Sequence, residues 1–227
     1  SPCVHSRWGT QAAVLLGDWI YSKAFLESTR LANPACSRVL AEATLATCRG
    51  EIVQDLLRGD FLLSMERCVQ ATAGKTASLF QCAGILGAEY SNSGRDLGKG
   101  LADFGWNAGL AFQIQDDLLD MIGDPGGTGK TLGTDWMSGK MTYPLILIRE
   151  NLEKDERSRM GEMFNSSSSV RDVSQAFPEA WTEALQWTRT EIDRLLACAI
   201  AALAPLEGRP GIHEMKALAL WTARRKA

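Results

Sequence analysis

The sequence predicts an all-α chain folded as one domain, on three observations. Apolar residues recur at helical spacing along nearly the whole chain. No stretch keeps the alternation of a half-buried strand for more than a few residues. Asn-Pro, Gly and Ser clusters punctuate the segments. The first element spans Ala12 to Leu31, where Val14, Leu15, Trp19, Ile20, Ala24 and Phe25 fall near the helical period. Asn33-Pro34 is a start signal, an N-cap with proline at the first helical position, for a helix reaching about Arg58 with Gly50 inside it. A helix from Phe61 to Thr72 precedes another from about Lys75 to Ala88, closed by the loop Ser91-Asn92-Ser93-Gly94.

A long helix then runs from about Arg95 to Met121. Past a glycine-rich loop, Thr142 to Leu152 and Asp155 to Met163 read as short helices. Asn165-Ser166-Ser167-Ser168-Ser169 reads as a polar, mobile break. Helix resumes from Val170 to Ala204, interrupted at Pro178; Pro205 to Gly211 forms a turn, and Ile212 to Lys226 is the last helix. Arg224-Arg225-Lys226 complement its C-terminal dipole, a solvated cap rather than a phosphate site. With 45% hydrophobic content, no internal repeat and no linker, residues 1–227 read as a single domain.

The chemistry concentrates in Asp116-Asp117-Leu118-Leu119-Asp120. An α-helix turns about 100° per residue, so Asp116 and Asp120 share a face with Asp117 to its side. Like charges one turn apart repel, and aspartate is a mediocre helix former. A lone cluster of this kind more often solvates an exposed face. Here Ala111, Phe112, Ile114, Leu118, Leu119 and Met121 interleave with the acids, so the helix is mostly buried and its carboxylates face a polar cavity. Oxygen-only donors suit magnesium, manganese or calcium. Magnesium is preferred, because one or two carboxylates hold it while water and substrate phosphate complete its shell. Downstream, Gly123-Asp124-Pro125-Gly126-Gly127-Thr128-Gly129-Lys130 lets backbone amides approach an anion, and Lys130 and Lys140 would meet the same phosphates. It is not a Walker loop: Asp124 stands where the first glycine belongs, after a helix rather than a strand.

Phe104-Gly105, Gly109, Ala111-Phe112-Gln113, the aspartates, Gly129-Lys130, Gly133, Asp135, Gly139-Lys140, Thr142 and Pro144 resemble the second aspartate-rich region of the trans-type isoprenyl (polyprenyl) diphosphate synthases. Leu16-Gly17-Asp18, Gly50-Glu51 with Gln54, and Lys75-Thr76-Ala77 stand upstream in that family's order. The resemblance implies a helical bundle around a central cavity, of the isoprenoid synthase type, joining isopentenyl diphosphate to an allylic diphosphate. It further implies that Asp116, Asp117, Asp120 and Asp135 serve magnesium, with Asp117 and Asp135 in direct or water-mediated support. Lys75, Lys130 and Lys140, helped by Thr76 and Gln113, would grip the diphosphate, and Lys75, Asp116 and Lys130 are the catalytic candidates. Products of geranylgeranyl length or longer fit the segments Leu16 to Phe25 and Phe112 to Asp120 better than farnesyl.

One departure stands out. The family carries an earlier aspartate motif followed by paired arginines, a glycine, a variable residue and a proline, then a Trp-Gly pair. Ser1 to Gly9 resembles the segment just after those arginines, so the first motif is expected before Ser1 in a longer protein. The alternative is a noncatalytic or regulatory subunit without half the metal site. A class I terpene cyclase is a further alternative, disfavoured by the Gly-Lys spacing. Buried charges at Lys75, Asp116, Asp117, Asp120, Lys130 and Lys140 cost stability when unpaired, which argues for the enzyme.

The rest excludes more than it assigns. A net charge of −3 gives no basic field for nucleic acid, and the apolar run Leu195 to Leu206 is too short for a membrane span. Six cysteines without paired spacing read as reduced, buried thiols of a cytoplasmic protein. His5 and His213 lie too far apart in sequence to suggest an acid/base pair, so proton removal is left to the diphosphate product. Trp106 reads as core, with a cation-facing ring as the alternative. Val39, Leu40, Ala43, Ala46, Val53, Leu56 and Leu57 exceed what one core-facing stripe uses, which predicts a homodimer through the helices between Asn33 and Thr72.

Overall fold

The computed structural model describes residues 3–91, 95–123 and 132–223, and within them no strand occurs. Helix α1 (Val4–Thr29) starts earlier than its apolar spacing suggested and is kinked at Gly9, where φ is +84°. It packs on α2 (Ala35–Leu56) and leaves Trp8, Leu15, Trp19 and Ile20 exposed. Asn33 opens α2 as its sequence predicts, its side-chain oxygen accepting from the Ala35 amide at 3.0 Å.

The expected helix from Phe61 begins instead at α3 (Met65–Thr72), because Ser64 caps it by accepting from the Arg67 amide. The turn before it is pinned from afar: buried Arg149 donates to the carbonyls of Phe61 and Leu63. No break follows Thr72. A π-helical turn (Ala73–Ala77) carries the chain straight into α4 (Ser78–Tyr90). Such wide turns collect at functional sites, and this one bears Lys75 and Thr76.

Helix α5 (Arg95–Ile122) is the axis of the fold, packed chiefly between α4 and α10 (Pro178–Ala202). Leu101, Ala108, Ala111 and Ile114 bury against Ile192, Leu195 and Ala199 in one core. A second core joins Met121 to α6 (Thr134–Met137), α7 (Tyr143–Glu150), α8 (Lys154–Phe164) and α9 (Val170–Ala176) through Trp136, Leu145, Ile146, Met160 and Val173. The aspartates therefore sit where α5 passes from one core to the other. A short 3-10 turn (Ala204–Leu206) leads to α11 (Ile212–Ala223).

Three expectations change. The serine stretch is a tied turn: Trp136 donates its indole N–H to Ser168 O, and Ser169 forms a capping box with Asp172. Of the cysteines, Cys36, Cys68 and Cys82 are buried, but Cys3, Cys48 and Cys198 fall on solvent faces of their helices or at a terminus. On α2, Val39 and Ala43 pack in a small core with Cys82, and Leu57 and Val53 join the second core, so these are not dimer-facing. The exposed stripe is Leu45, Ile52 and Leu56, spaced seven and four apart on one face. Loop residues Asn92-Ser93-Gly94, the glycine-rich segment with Lys130, and Arg224-Arg225-Lys226 lie outside the described residues.

Candidate active site

Three chain segments meet at this site, brought together by close backbone contacts. Gly50 on α2 lies so near the π turn that a Cβ there would stand 2.4 Å from the Lys75 nitrogen. Just past the C-terminal end of α2, the Gly59 amide donates to Gly139 O at 2.8 Å, and Gly139 holds φ +72°. That contact brings Lys140 beside the end of α5.

From the π turn, the Lys75 ammonium donates to Gln54 Oε1 at 2.9 Å and pairs with Glu51 at 3.1 Å. Glu51 is about half exposed, so the pair adds little stability, about 0–1 kcal/mol, and serves mainly to aim the lysine. Thr76 donates its hydroxyl to Gln113 Oε1 at 2.8 Å, and the Gln113 amide donates to Asp117 Oδ1 at 3.0 Å. Lys140 pairs with Asp135 at 2.8 Å. Helix α5 thus links the Lys75-Thr76 turn to Asp117 through Gln113, while Lys140 approaches from the other side.

Asp117 is buried, and burial, then the nearby Asp135 charge, push its carboxyl up to about 8, against the lowering pull of the Gln113 amide. A metal cation bound beside it would replace that proton and favour the charged carboxylate. Burial pushes the neighbouring Cys68 thiol up to about 12, with the Asp117 charge second, which leaves it inert. Asp117, Lys140, Gln54, Cys68 and Thr142 line a chamber of about 20 Å³. Thr142 Oγ1 is buried in it without a hydrogen-bond partner. A buried hydroxyl left so costs about 1–3 kcal/mol, so a polar guest fits there.

The other aspartates are placed differently from one another. Asp116 is half-buried on α5. Asp120 turns its carboxylate onto the start of α6, accepting from Thr134 N and Oγ1 and from Asp135 N at 3.2, 2.7 and 3.0 Å. Among the described residues no three His, Cys, Asp or Glu side chains gather into a metal cage. The buried Asp117 carboxyl and the unpartnered Thr142 hydroxyl beside it are oxygen donors of the kind magnesium takes. The structure brings together Lys75, Thr76, Gln113, Asp117, Asp135 and Lys140; Lys130 lies outside the described residues. Sequence reasoning had no role for Thr142 beyond its motif position; Glu51 and Gln54, which stand in the family's order, both hold the Lys75 ammonium, Glu51 from an exposed position.

The family model described as Polyprenyl synthetase matches residues 1–180. The chain belongs to the polyprenyl synthetase family, the class that an all-helical bundle with a carboxylate and lysine site had suggested. It is 33% identical over 212 residues to octaprenyl diphosphate synthase of Escherichia coli (strain K12), a match covering 91% of this chain and 64% of that protein. The chain thus spans just under two thirds of that relative's length. Among solved structures, a decaprenyl diphosphate synthase from Rhodobacter capsulatus superposes with a TM-score of 0.90 at 27% identity, over 100% of this chain and 70% of the other. A polyprenyl synthase from Caulobacter crescentus CB15, complexed with calcium and isoprenyl diphosphate, superposes with a TM-score of 0.87 at 29% identity, over 98% and 69%.

Proposed function

We propose that this protein is a magnesium-dependent prenyltransferase that joins isopentenyl diphosphate to an allylic diphosphate, giving a trans-prenyl diphosphate of geranylgeranyl length or longer. The observation that carries the reading is the convergence of Lys75, the Thr76–Gln113–Asp117 chain and Lys140 from three separate segments around a chamber with an orphaned hydroxyl. Family membership and the structural likeness to a synthase complexed with isoprenyl diphosphate support it.

Magnesium, when bound, neutralises charge on the departing diphosphate. Asp116 and Asp120 would hold that ion, with Asp117 and Asp135 in direct or water-mediated support. Lys75, Lys140 and Lys130 bind the diphosphate oxygens, and Thr76 and Gln113 fix the geometry. Cations fixed in advance stabilise the negative charge that grows as the allylic C–O bond breaks, without reorganising at that moment. The isopentenyl double bond then attacks the allylic carbon, and one proton leaves to the released diphosphate. A homodimer through the exposed Leu45, Ile52 and Leu56 stripe and the open apolar face of α1 belongs to the same proposal. No described helix is long and apolar enough to cross a membrane, and a cytoplasmic location is part of the reading.

Incubating the full-length protein with magnesium, isopentenyl diphosphate and geranyl or farnesyl diphosphate tests it. Release of diphosphate with a longer prenyl product, stopped by EDTA, is expected. A folded protein with magnesium that elongates none of the short allylic primers refutes it.

A further inference from the structure

Among the described residues, Arg149 is the one buried cation, 6% exposed beside the second core. The ion pair it makes there is with half-exposed Glu150, at 3.4 Å. Its firmer bonds go elsewhere. One terminal nitrogen donates to the carbonyls of Phe61 and Leu63, and the guanidinium lies 5.9 Å from the centre of the Phe61 ring, which packs on Phe164. A buried charge held mainly by main-chain oxygens is a poor source of stability, since an apolar chain of similar length would pack there without the desolvation cost. What arginine adds is geometry, because its rigid planar fork fixes the carbonyls it meets.

The turn held in this way, residues 57–63, reaches the site twice. Its Gly59 amide donates to Gly139 O at 2.8 Å and its Arg58 guanidinium to Ser138 O at 3.2 Å, so the two residues before Lys140 are tied to it. Leu57 and Leu63, at its two ends, line the chamber in which Asp117, Lys140 and Thr142 meet. Thr142 then opens α7, and at 1.5 Å per residue Arg149 stands about 10 Å further along that helix. The connection closes into a ring. It runs from α7 through Arg149 to the turn, from the turn through Gly59 to residues 138–139, and on through Lys140 and Thr142 back to α7. Arg149 does not line the chamber; it fixes the frame that does.

We propose that Arg149 is a positioning residue for prenyl transfer, setting through the 57–63 turn where Lys140 and Thr142 stand against the allylic diphosphate. This rests on the prenyl-transfer reading and adds to it a residue that meets neither substrate nor metal.

The test is steady-state elongation by the full-length protein in three forms: wild type, Arg149→Met, which keeps bulk and removes the donors, and Ile192→Val, which loosens the first core away from the ring. In Arg149→Met the KM for the allylic diphosphate should rise about tenfold while the KM for isopentenyl diphosphate stays within about twofold of wild type, since a shift of about 1 Å at one binding group is enough. Ile192→Val should lower Tm and leave both constants unchanged. A methionine variant in which both constants stay at wild type, or rise together, overturns the proposal, and so does the same selective rise in Ile192→Val. If the methionine variant does not fold, Arg149→Gln, which keeps an N–H donor but no fork, is read by the same outcomes. A wild type that elongates nothing defeats the prenyl-transfer reading instead. In that event amide hydrogen exchange at Gly59 decides the clamp: faster exchange in the Arg149 variant than in Ile192→Val supports it, and equal exchange overturns it.

Discussion

Gly50→Ala isolates how backbone contact between α2 and the π turn aims Lys75. The added methyl would stand 2.4 Å from Lys75 N, 2.8 Å from Gly74 C and 2.9 Å from Lys75 Cα. All three are backbone atoms, so no side chain can swing clear. Restoring an ordinary contact of 3.4 Å requires the π turn and α2 to part by about 1 Å. Overpacking of this kind costs about 1–3 kcal/mol. Alanine returns about 1 kcal/mol as the better helix former, leaving a net loss of up to about 2 kcal/mol. For a chain of this size that lowers Tm by up to about 8 °C. Turnover should fall further than stability suggests, because a displacement of about 1 Å can cost roughly 100-fold when the moved group positions substrate. Thermal unfolding and steady-state elongation, measured on the same preparation, report the two effects. Gly87→Ala is the control: nothing lies within 4 Å of its Cβ, and the helix should gain up to about 1 kcal/mol with turnover unchanged. Wild-type turnover in Gly50→Ala would refute the claim that this contact aims the lysine.

Two other outcomes are expected. Asp117 has its carboxyl raised to about 8, so the stability tied to its proton is full below about 4 and lost as pH rises through 8. In EDTA, Asp117→Asn should flatten that decline, worth about 1.4 kcal/mol per pH unit inside the window; a Tm that falls with pH in parallel with wild type speaks against a buried, proton-bearing Asp117. Ile52→Glu places a charge in the exposed α2 stripe and should convert a dimer to monomers by light scattering at micromolar concentration, whereas a wild-type monomer there ends the dimer proposal.

Most helices were legible because their determinants are local. Asn33 announces a helix start, Pro178 marks the break before α10, and α5 carries its apolar face in plain spacing. What the sequence hid depends on partners distant along the chain. Helix α6 is four residues long, too short to show a period, and its first amides are satisfied by Asp120 from fourteen residues upstream. The continuity of α3 into α4 needs Gly50 and Gly74 to let two backbones touch, a requirement visible only once α2 lies alongside. In the site, the residue types and their order were readable. The division of labour among the aspartates was not, since Asp120 caps a helix while Asp117 is buried. Ser64 and Ser169 as N-caps were signals present and local in the sequence that went unread.

The central claim is that carboxylates on α5 and lysines from two other segments act on diphosphate through magnesium. Calorimetric titration of inorganic diphosphate into the full-length protein, with and without magnesium, reads this without needing turnover. Tight binding should require the metal. Asp116→Asn should weaken binding at least tenfold, a loss of about 1.4 kcal/mol, with Tm unchanged or raised because one like charge has gone. Lys140→Ala should weaken it in both the presence and the absence of magnesium. Diphosphate that binds equally well without the metal, or with Asp116→Asn, would contradict the account.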